Sequence, residues 1–279
     1  MLWILLPIPF ILIFAFFLFV VYVAYRLVNP PRLVGNWTPS EFGADYQNIT
    51  LHTKDGVMLR GWHIPLGRRC VLLLHGYTRS RWDDVYMKPM LKFLIENNSS
   101  VVTFDFRAHG ESEGKYSTVG DKEFLDLKAA VDYAREKYEE IYIIGYSMAG
   151  FLALKAASQG LAKKVVADSP VIYVDKTGAR GLKYFANLPT WLYIFVKPFA
   201  LIISRANYGN IDPFKFIGNI TIPVLIISGR NDPLVKVEEV EELAKLNPNI
   251  SLWITDAAHV RTIQVQEEEY KKKILEFLS

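Results

Sequence analysis

The sequence predicts an α/β fold, a mostly parallel sheet with helices on both faces. Three observations lead there. Two short alternating runs open the body and read as a hairpin. Short, continuously apolar segments then recur, as expected of strands buried on both faces. Between them lie amphipathic stretches with helical spacing, and regular strand–helix alternation requires crossovers above and below one sheet.

The elements follow in order. Residues 46–53 and 57–64 alternate and are joined by Lys54-Asp55-Gly56, a turn signal. Residues 71–74 form an apolar strand ending in His75-Gly76. Residues 82–97 carry Val85, Met90, Leu91 and Leu94 at helical spacing, and 101–105 is the next strand. A helix is expected over 121–138, with Phe124, Leu127, Ala130, Val131 and Ala134 on one stripe. Strand 141–144, helix 148–159 and strand 165–168 come next. The alternation breaks over 171–218 and resumes with strand 222–228, helix 237–246, strand 251–255 and helix 264–278. The break reads as an insertion above the sheet.

Composition bounds the function. The chain has 279 residues, 51% hydrophobic and 22% charged, which excludes disorder as its main state. Thirty-two Lys and Arg against 29 Asp and Glu give +3, too little for a dedicated nucleic-acid binder. A single cysteine, Cys70, excludes an intramolecular disulfide and a cysteine-rich metal site. Phosphate-binding G-x-x-x-x-G-K-[ST], dinucleotide G-x-G-x-x-G and zinc-binding H-E-x-x-H patterns are all missing, so no metal or organic cofactor is expected.

The first segment is distinct. Residues 2–25 contain no Asp, Glu, Lys or Arg. As a helix these 24 residues measure roughly 36 Å, enough for a ~30 Å hydrocarbon core. Pro7 and Pro9 fall in the opening turns, and Trp3 and the Tyr22/Tyr25 pair sit near opposite ends, where amphipathic aromatics favour a membrane interface. No basic residue precedes the run and no A-x-A follows, unlike a cleaved signal peptide. A single-pass membrane anchor is therefore expected; the alternatives are a helix packed on the body or one that pairs two copies into a homodimer. Arg26 and Arg32 on the C-terminal flank favour a cytoplasmic body. Pro30, Pro31 and Pro39 mark residues 29–45 as a linker.

Chemistry concentrates at strand ends. Gly145-Tyr146-Ser147-Met148-Ala149-Gly150 lies between an apolar strand and a helix, the setting of a G-x-S-x-G nucleophile elbow, with Ala149 where glycine is usual. A serine nucleophile needs a base. Of five histidines, only His259 follows the last strand, on the sheet edge where Ser147 emerges. Asp232 follows the preceding strand on that edge, where it can orient the imidazole. Asp168 is the alternative acid.

In this order, Ser147…Asp232…His259, the chain resembles the α/β-hydrolase superfamily of serine esterases and monoacylglycerol-lipase-like enzymes. The resemblance spans about residues 46–279 and includes His75-Gly76-Tyr77 and the loop from Asp105 to Ser112. It implies an oxyanion hole formed by the backbone amides of Tyr77 and Met148. It also implies that the insertion 171–218 is a cap, the core being 46–170 with 219–279 and the anchor 1–28. The cap's aromatic content suggests an apolar acyl chain as substrate, with His75, Trp191, Phe195 and Phe199 as candidate contacts. The expected activity is hydrolysis of carboxylic esters. Thioester hydrolysis, or binding without catalysis, is the alternative on the same fold.

Overall fold

The structure, a computed structural model, describes residues 7–279. Residues 2–6 of the expected anchor, Trp3 among them, lie outside the described residues. The chain opens with helix α1 (Pro7–Val28). Strands β1 (Gln47–His52) and β2 (Met58–Ile64) pair antiparallel about the Lys54-Asp55-Gly56 turn. There follow β3 (Arg69–Leu74), α2 (Met87–Glu96), β4 (Ser100–Phe104), α3 (Glu123–Arg135), β5 (Glu140–Tyr146), α4 (Met148–Ser158) and β6 (Lys164–Asp168). The break in alternation contains α5 (Val174–Ala186) and α6 (Tyr193–Ser204). The chain closes with β7 (Val224–Gly229), α7 (Val237–Ala244), β8 (Ile250–Thr255), α8 (Thr262–Val265) and α9 (Glu267–Leu278).

The strands form one eight-stranded sheet in the order β1-β2-β4-β3-β5-β6-β7-β8. β2 meets β4 antiparallel; from β4 onward every pairing is parallel. Side chains alternate between two cores. Leu72, Leu74 and Ile143 pack with Leu127 of α3 and Leu152 of α4. Val71, Leu73 and Ile144 pack on the other face with Met90 of α2 and Ile274 of α9. Burial on both faces explains why the central strands read as unbroken apolar runs.

β4 lies on one side of β3 and β5 on the other, so the chain's winding direction reverses between β3 and β5. A crevice opens at the carboxyl ends of strands at such a switch point. Gly76 and Tyr77 leave β3 there and Ser147 leaves β5 there.

Two helices depart most from expectation. α2 begins at Met87 rather than Trp82, because Asp83 Oδ1 accepts the amides of Val85 and Tyr86 and holds a turn. The last helix divides at Gln266 into α8 and α9.

The segment 29–45 is not a free spacer. Trp37 is buried against Trp62, their ring centroids 5.3 Å apart, and its indole donates to the Trp82 carbonyl. Arg32 donates to the carbonyls of Gly110, Ser112 and Gly114. This stretch is laid onto the body and fixes where α1 leaves it.

α1 is two different surfaces. Val20, Val23, Ala24 and Val28 are buried against Leu182 of α5 and Tyr193, Val196 and Ala200 of α6. Their spacing (i, i+3, i+4, i+8) forms one stripe, and their small size lets the helices approach closely. Residues 9–19 are exposed, Phe10 to 72% and Ile13 to 67%, with Phe16 and Phe17 touching rings of α6 at one edge. The helix is long and apolar enough to cross a membrane, a property that signal sequences and buried core helices share. A core helix would be mostly covered, whereas 22% of this one's apolar stretch is buried.

Candidate active site

Ser147 sits on the turn between β5 and α4 with φ 56° and ψ −112°. That left-handed φ is unfavourable for a residue with a Cβ, and the surroundings impose it. Its amide donates to the Asp168 carbonyl at 2.8 Å, and its own carbonyl accepts from Phe151 and Val171. The turn is tight: a Cβ at Gly145 would stand 2.3 Å from the Ala149 carbonyl oxygen, so only glycine fits. Ala149 itself is fully buried and its methyl is accommodated.

His259, in the loop after β8, reaches both partners. Its Nε2 lies 2.8 Å from Ser147 Oγ and its Nδ1 lies 2.7 Å from Asp232 Oδ2. A carboxylate only accepts, so Nδ1 carries the proton and Nε2 is left to accept from the serine hydroxyl. Asp232 is fully buried, and its other oxygen accepts the amides of Leu234 and Val235 at 2.7 and 2.9 Å. The carboxylate thus braces the loop after β7 and orients the imidazole at once. It does not cap α7, which Lys236 and Glu239 close.

Tyr77 and Met148 line the same cavity as Ser147, and their amides have no acceptor among the described residues. Their neighbours are committed: Gly76 N–H donates to the Tyr86 hydroxyl and Thr78 N–H to His109 Nε2. Gly76 is required by proximity, since a Cβ there would lie 3.1 Å from the Ser147 Cβ. Two uncommitted donors beside the serine, at the head of α4, can hold a developing oxyanion.

Asp168 is placed behind this set. Its oxygens accept from Ser169 Oγ and from the Tyr270 hydroxyl, each at 2.9 Å, and no bond joins it to His259. Burial pushes its carboxyl up to about 6. The Val260 amide in turn donates to Ser169 Oγ, and both Ser169 and Val260 have positive φ. Asp168 therefore supports the histidine loop from below.

A cavity of about 530 Å³ opens above Ser147 and His259. Its walls differ from those expected. His75 is fully buried beneath it: Nδ1 donates to the Gly76 carbonyl and Nε2 accepts the Phe106 amide. Burial lowers its basicity well below the usual histidine value, which suits a neutral ring shaping the loop rather than a substrate contact. Trp191, Phe195 and Phe199 do not line the cavity either. Trp191 lies in the turn before α6 and stacks edge-on with Phe195, while Phe195 and Phe199 of α6 meet Phe16 and Phe17 of α1 at 5.6 and 5.4 Å between ring centroids. The cap aromatics that do line it are Tyr184, Phe185, Tyr193 and Tyr208.

Sequence reasoning missed the wall that α1 supplies. Val23, Arg26 and Leu27 line the cavity. The Tyr77 hydroxyl donates to the Leu27 carbonyl, tying the end of α1 to the loop after β3. A size shift was the available signal: Phe, Leu and Ile dominate up to Phe19, and Val and Ala are frequent from Val20 onward.

Comparison with known proteins agrees with this architecture. Residues 71–219 match a family model described as the alpha/beta hydrolase family. The chain belongs to the α/β-hydrolase family. Among solved structures, this α/β-hydrolase is similar to the esterase Pf2001 of Pyrococcus furiosus. They share 50% identity and a TM-score of 0.80, with 91% of this chain and 98% of that one covered. It is also similar to the uncharacterized protein YfhR of Salmonella typhi, 28% identical over 88% of this chain and 87% of the relative. The uncharacterized protein YqkD of Bacillus subtilis is 28% identical over 80% of this chain and 76% of its own. The α/β-hydrolase is thus esterase-like by its structural neighbours.

Proposed function

We propose that the chain is a membrane-anchored serine carboxylesterase acting on esters with an apolar acyl chain. The observation that carries this is the unbroken hydrogen-bond series Ser147–His259–Asp232 opening into a largely apolar cavity. Ser147 Oγ attacks the acyl carbonyl as His259 Nε2 takes its proton, and the amides of Tyr77 and Met148 receive the oxyanion. The tetrahedral intermediate collapses, the ester C–O bond breaks, and His259 returns the proton to the departing alcohol. Water then enters; His259 deprotonates it, it attacks the acyl-enzyme, and carboxylic acid and free Ser147 are released. Asp232 stabilises the imidazolium in both halves.

The bare apolar half of α1 supports the anchor, and exposed Ile194, Phe195 and Ile202 of α6 extend that surface onto the cap. The cavity mouth would then face the bilayer surface, with the body on the cytoplasmic side, the orientation that Arg26 and Arg32 on the C-terminal flank favour. Hydrolysis of p-nitrophenyl esters from acetyl to palmitoyl, with wild type and Ser147→Ala in parallel, tests the activity. Serine-dependent turnover that favours medium or long chains is expected. Absence of Ser147-dependent turnover at every length refutes the ester reading and leaves thioester hydrolysis or binding without catalysis.

A further inference from the structure

The charged residues lining the cavity are all of one sign. The chain carries 29 acidic residues against 32 Lys and Arg, yet the lining includes Arg26, Arg79 and Arg261 and no Asp or Glu. Each arginine is close in the chain to a residue of the reacting centre. Arg79 is two residues beyond Tyr77, and Arg261 is two beyond His259. Arg26 precedes Leu27, whose carbonyl holds the Tyr77 hydroxyl.

Their donors are largely uncommitted. Arg79 reaches Asp83 through one nitrogen at 3.3 Å. Arg261 donates once, to Gln264 Oε1 at 2.6 Å. Arg26 has no hydrogen-bond or ion-pair partner among the described residues. Three arginines lining one concavity with no lining carboxylate favour an anion there over a cation. Arginine offers a planar fork that matches phosphate oxygens, which a lysine does not.

We infer that the preferred substrate is an acyl ester of a phosphate-bearing alcohol, its apolar chain lying along Val23, Leu27 and Leu182 and its phosphate held by Arg26, Arg79 and Arg261. This deepens the ester reading above and rests on it. The covalent steps are unchanged, and the phosphate leaves with the alcohol. A cationic alcohol would meet the same charges as repulsion, giving discrimination by exclusion as well as by attraction.

The test compares three monomeric substrates on the full-length protein, below their aggregation concentrations and without vesicles: 1-octanoylglycerol 3-phosphate, neutral 1-octanoylglycerol and octanoylcholine. The expected order of kcat/KM is phosphate over neutral over choline, the first step about tenfold, which corresponds to about 1.4 kcal/mol. In Arg26→Gln/Arg79→Gln/Arg261→Gln the phosphate-to-neutral ratio should fall to about one. Should that variant not fold, the wild-type ratio is followed as salt is raised from about 0.05 to about 0.5 M, and it should shrink by screening.

Equal turnover of all three esters, or choline above phosphate, overturns the inference while leaving the ester reading standing. Turnover of none of them overturns the inference, and together with no Ser147-dependent turnover of any p-nitrophenyl ester it removes the ester reading as well. The comparison is then repeated with anionic vesicles added, and a phosphate preference that appears only there also overturns the inference, because the arginines would be reading the membrane surface rather than the substrate.

Discussion

Removing α1 in two different lengths separates its two roles. Deleting residues 1–19 takes away the bare apolar half and leaves Val20–Val28 in place. Deleting residues 1–28 also removes the stripe Val20, Val23, Ala24 and Val28 and the carbonyl that accepts from Tyr77. Full burial of a valine contributes about 1.5–3 kcal/mol, so three valines at the lower end amount to roughly 5 kcal/mol, an upper-type figure because the unfolded chain is not fully extended. That is comparable with the whole margin of about 5–15 kcal/mol that holds a domain folded. For activity, losing Val23 and Leu27 strips apolar contact from about two methylenes of a bound chain, about 1.6 kcal/mol or roughly 15-fold in kcat/KM. The assay is p-nitrophenyl octanoate hydrolysis with thermal melting in parallel, plus co-sedimentation with liposomes. The shorter deletion should keep kcat/KM within about twofold while losing liposome binding. The longer deletion should lose at least about tenfold in kcat/KM and melt lower. Equal activity and melting in the two truncations would refute α1 as a cavity wall, and would return it to a simple tether.

Three further outcomes follow from the same geometry. Asp232→Asn should lower kcat by about 10⁴, because an amide in that position favours the wrong imidazole tautomer; a loss under about tenfold on p-nitrophenyl butyrate would remove Asp232 from the reacting set. Leu27→Trp should lower kcat/KM for a dodecanoyl ester about tenfold relative to a butyryl ester, the cost of overfilling that wall, and an unchanged chain-length profile would count against it. Asp168→Asn tests the buried carboxyl whose value rises from 3.8 to about 6. A raised carboxyl opposes folding once ionised, so its penalty is absent below 3.8, grows with pH to about 6 and is complete above. Denaturant melts from pH 4 to pH 7.5 should show the variant gaining on wild type by up to about 3 kcal/mol as pH rises, and a flat difference would contradict the burial effect.

The sheet was legible because each central strand is buried on both sides and therefore announces itself as an apolar run. Val71 and Leu72 face opposite cores, so neither can be polar. The proposed reacting residues were legible for a related reason. Ser147, Asp232 and His259 each follow a parallel strand, and parallel strands share one carboxyl edge, so order along the chain implies proximity in space. Boundaries were less so: the start of α2 depends on Asp83 taking two backbone amides, a local competition that periodicity does not record.

The cavity walls are where sequence reasoning failed, and the failure has one cause. A helix apolar on nearly every side has no polar face to betray which side is covered, so the sequence left a span and a helix packed on the body both open and gave no sign that Val23, Arg26 and Leu27 wall the cavity. The same blindness misassigned Trp191, Phe195 and Phe199, since aromatic content shows that a segment is apolar and not which way its helix turns. Only packing decides between them: α6 presents Val196 and Ala200 inward to the small stripe of α1 and sets its large rings outward beside Phe16 and Phe17. One helix thereby has its bare half continuous with the outer face of the cap and its covered half against the reacting centre. The Leu27 carbonyl, which accepts from the Tyr77 hydroxyl, joins that covered half directly to the loop after β3.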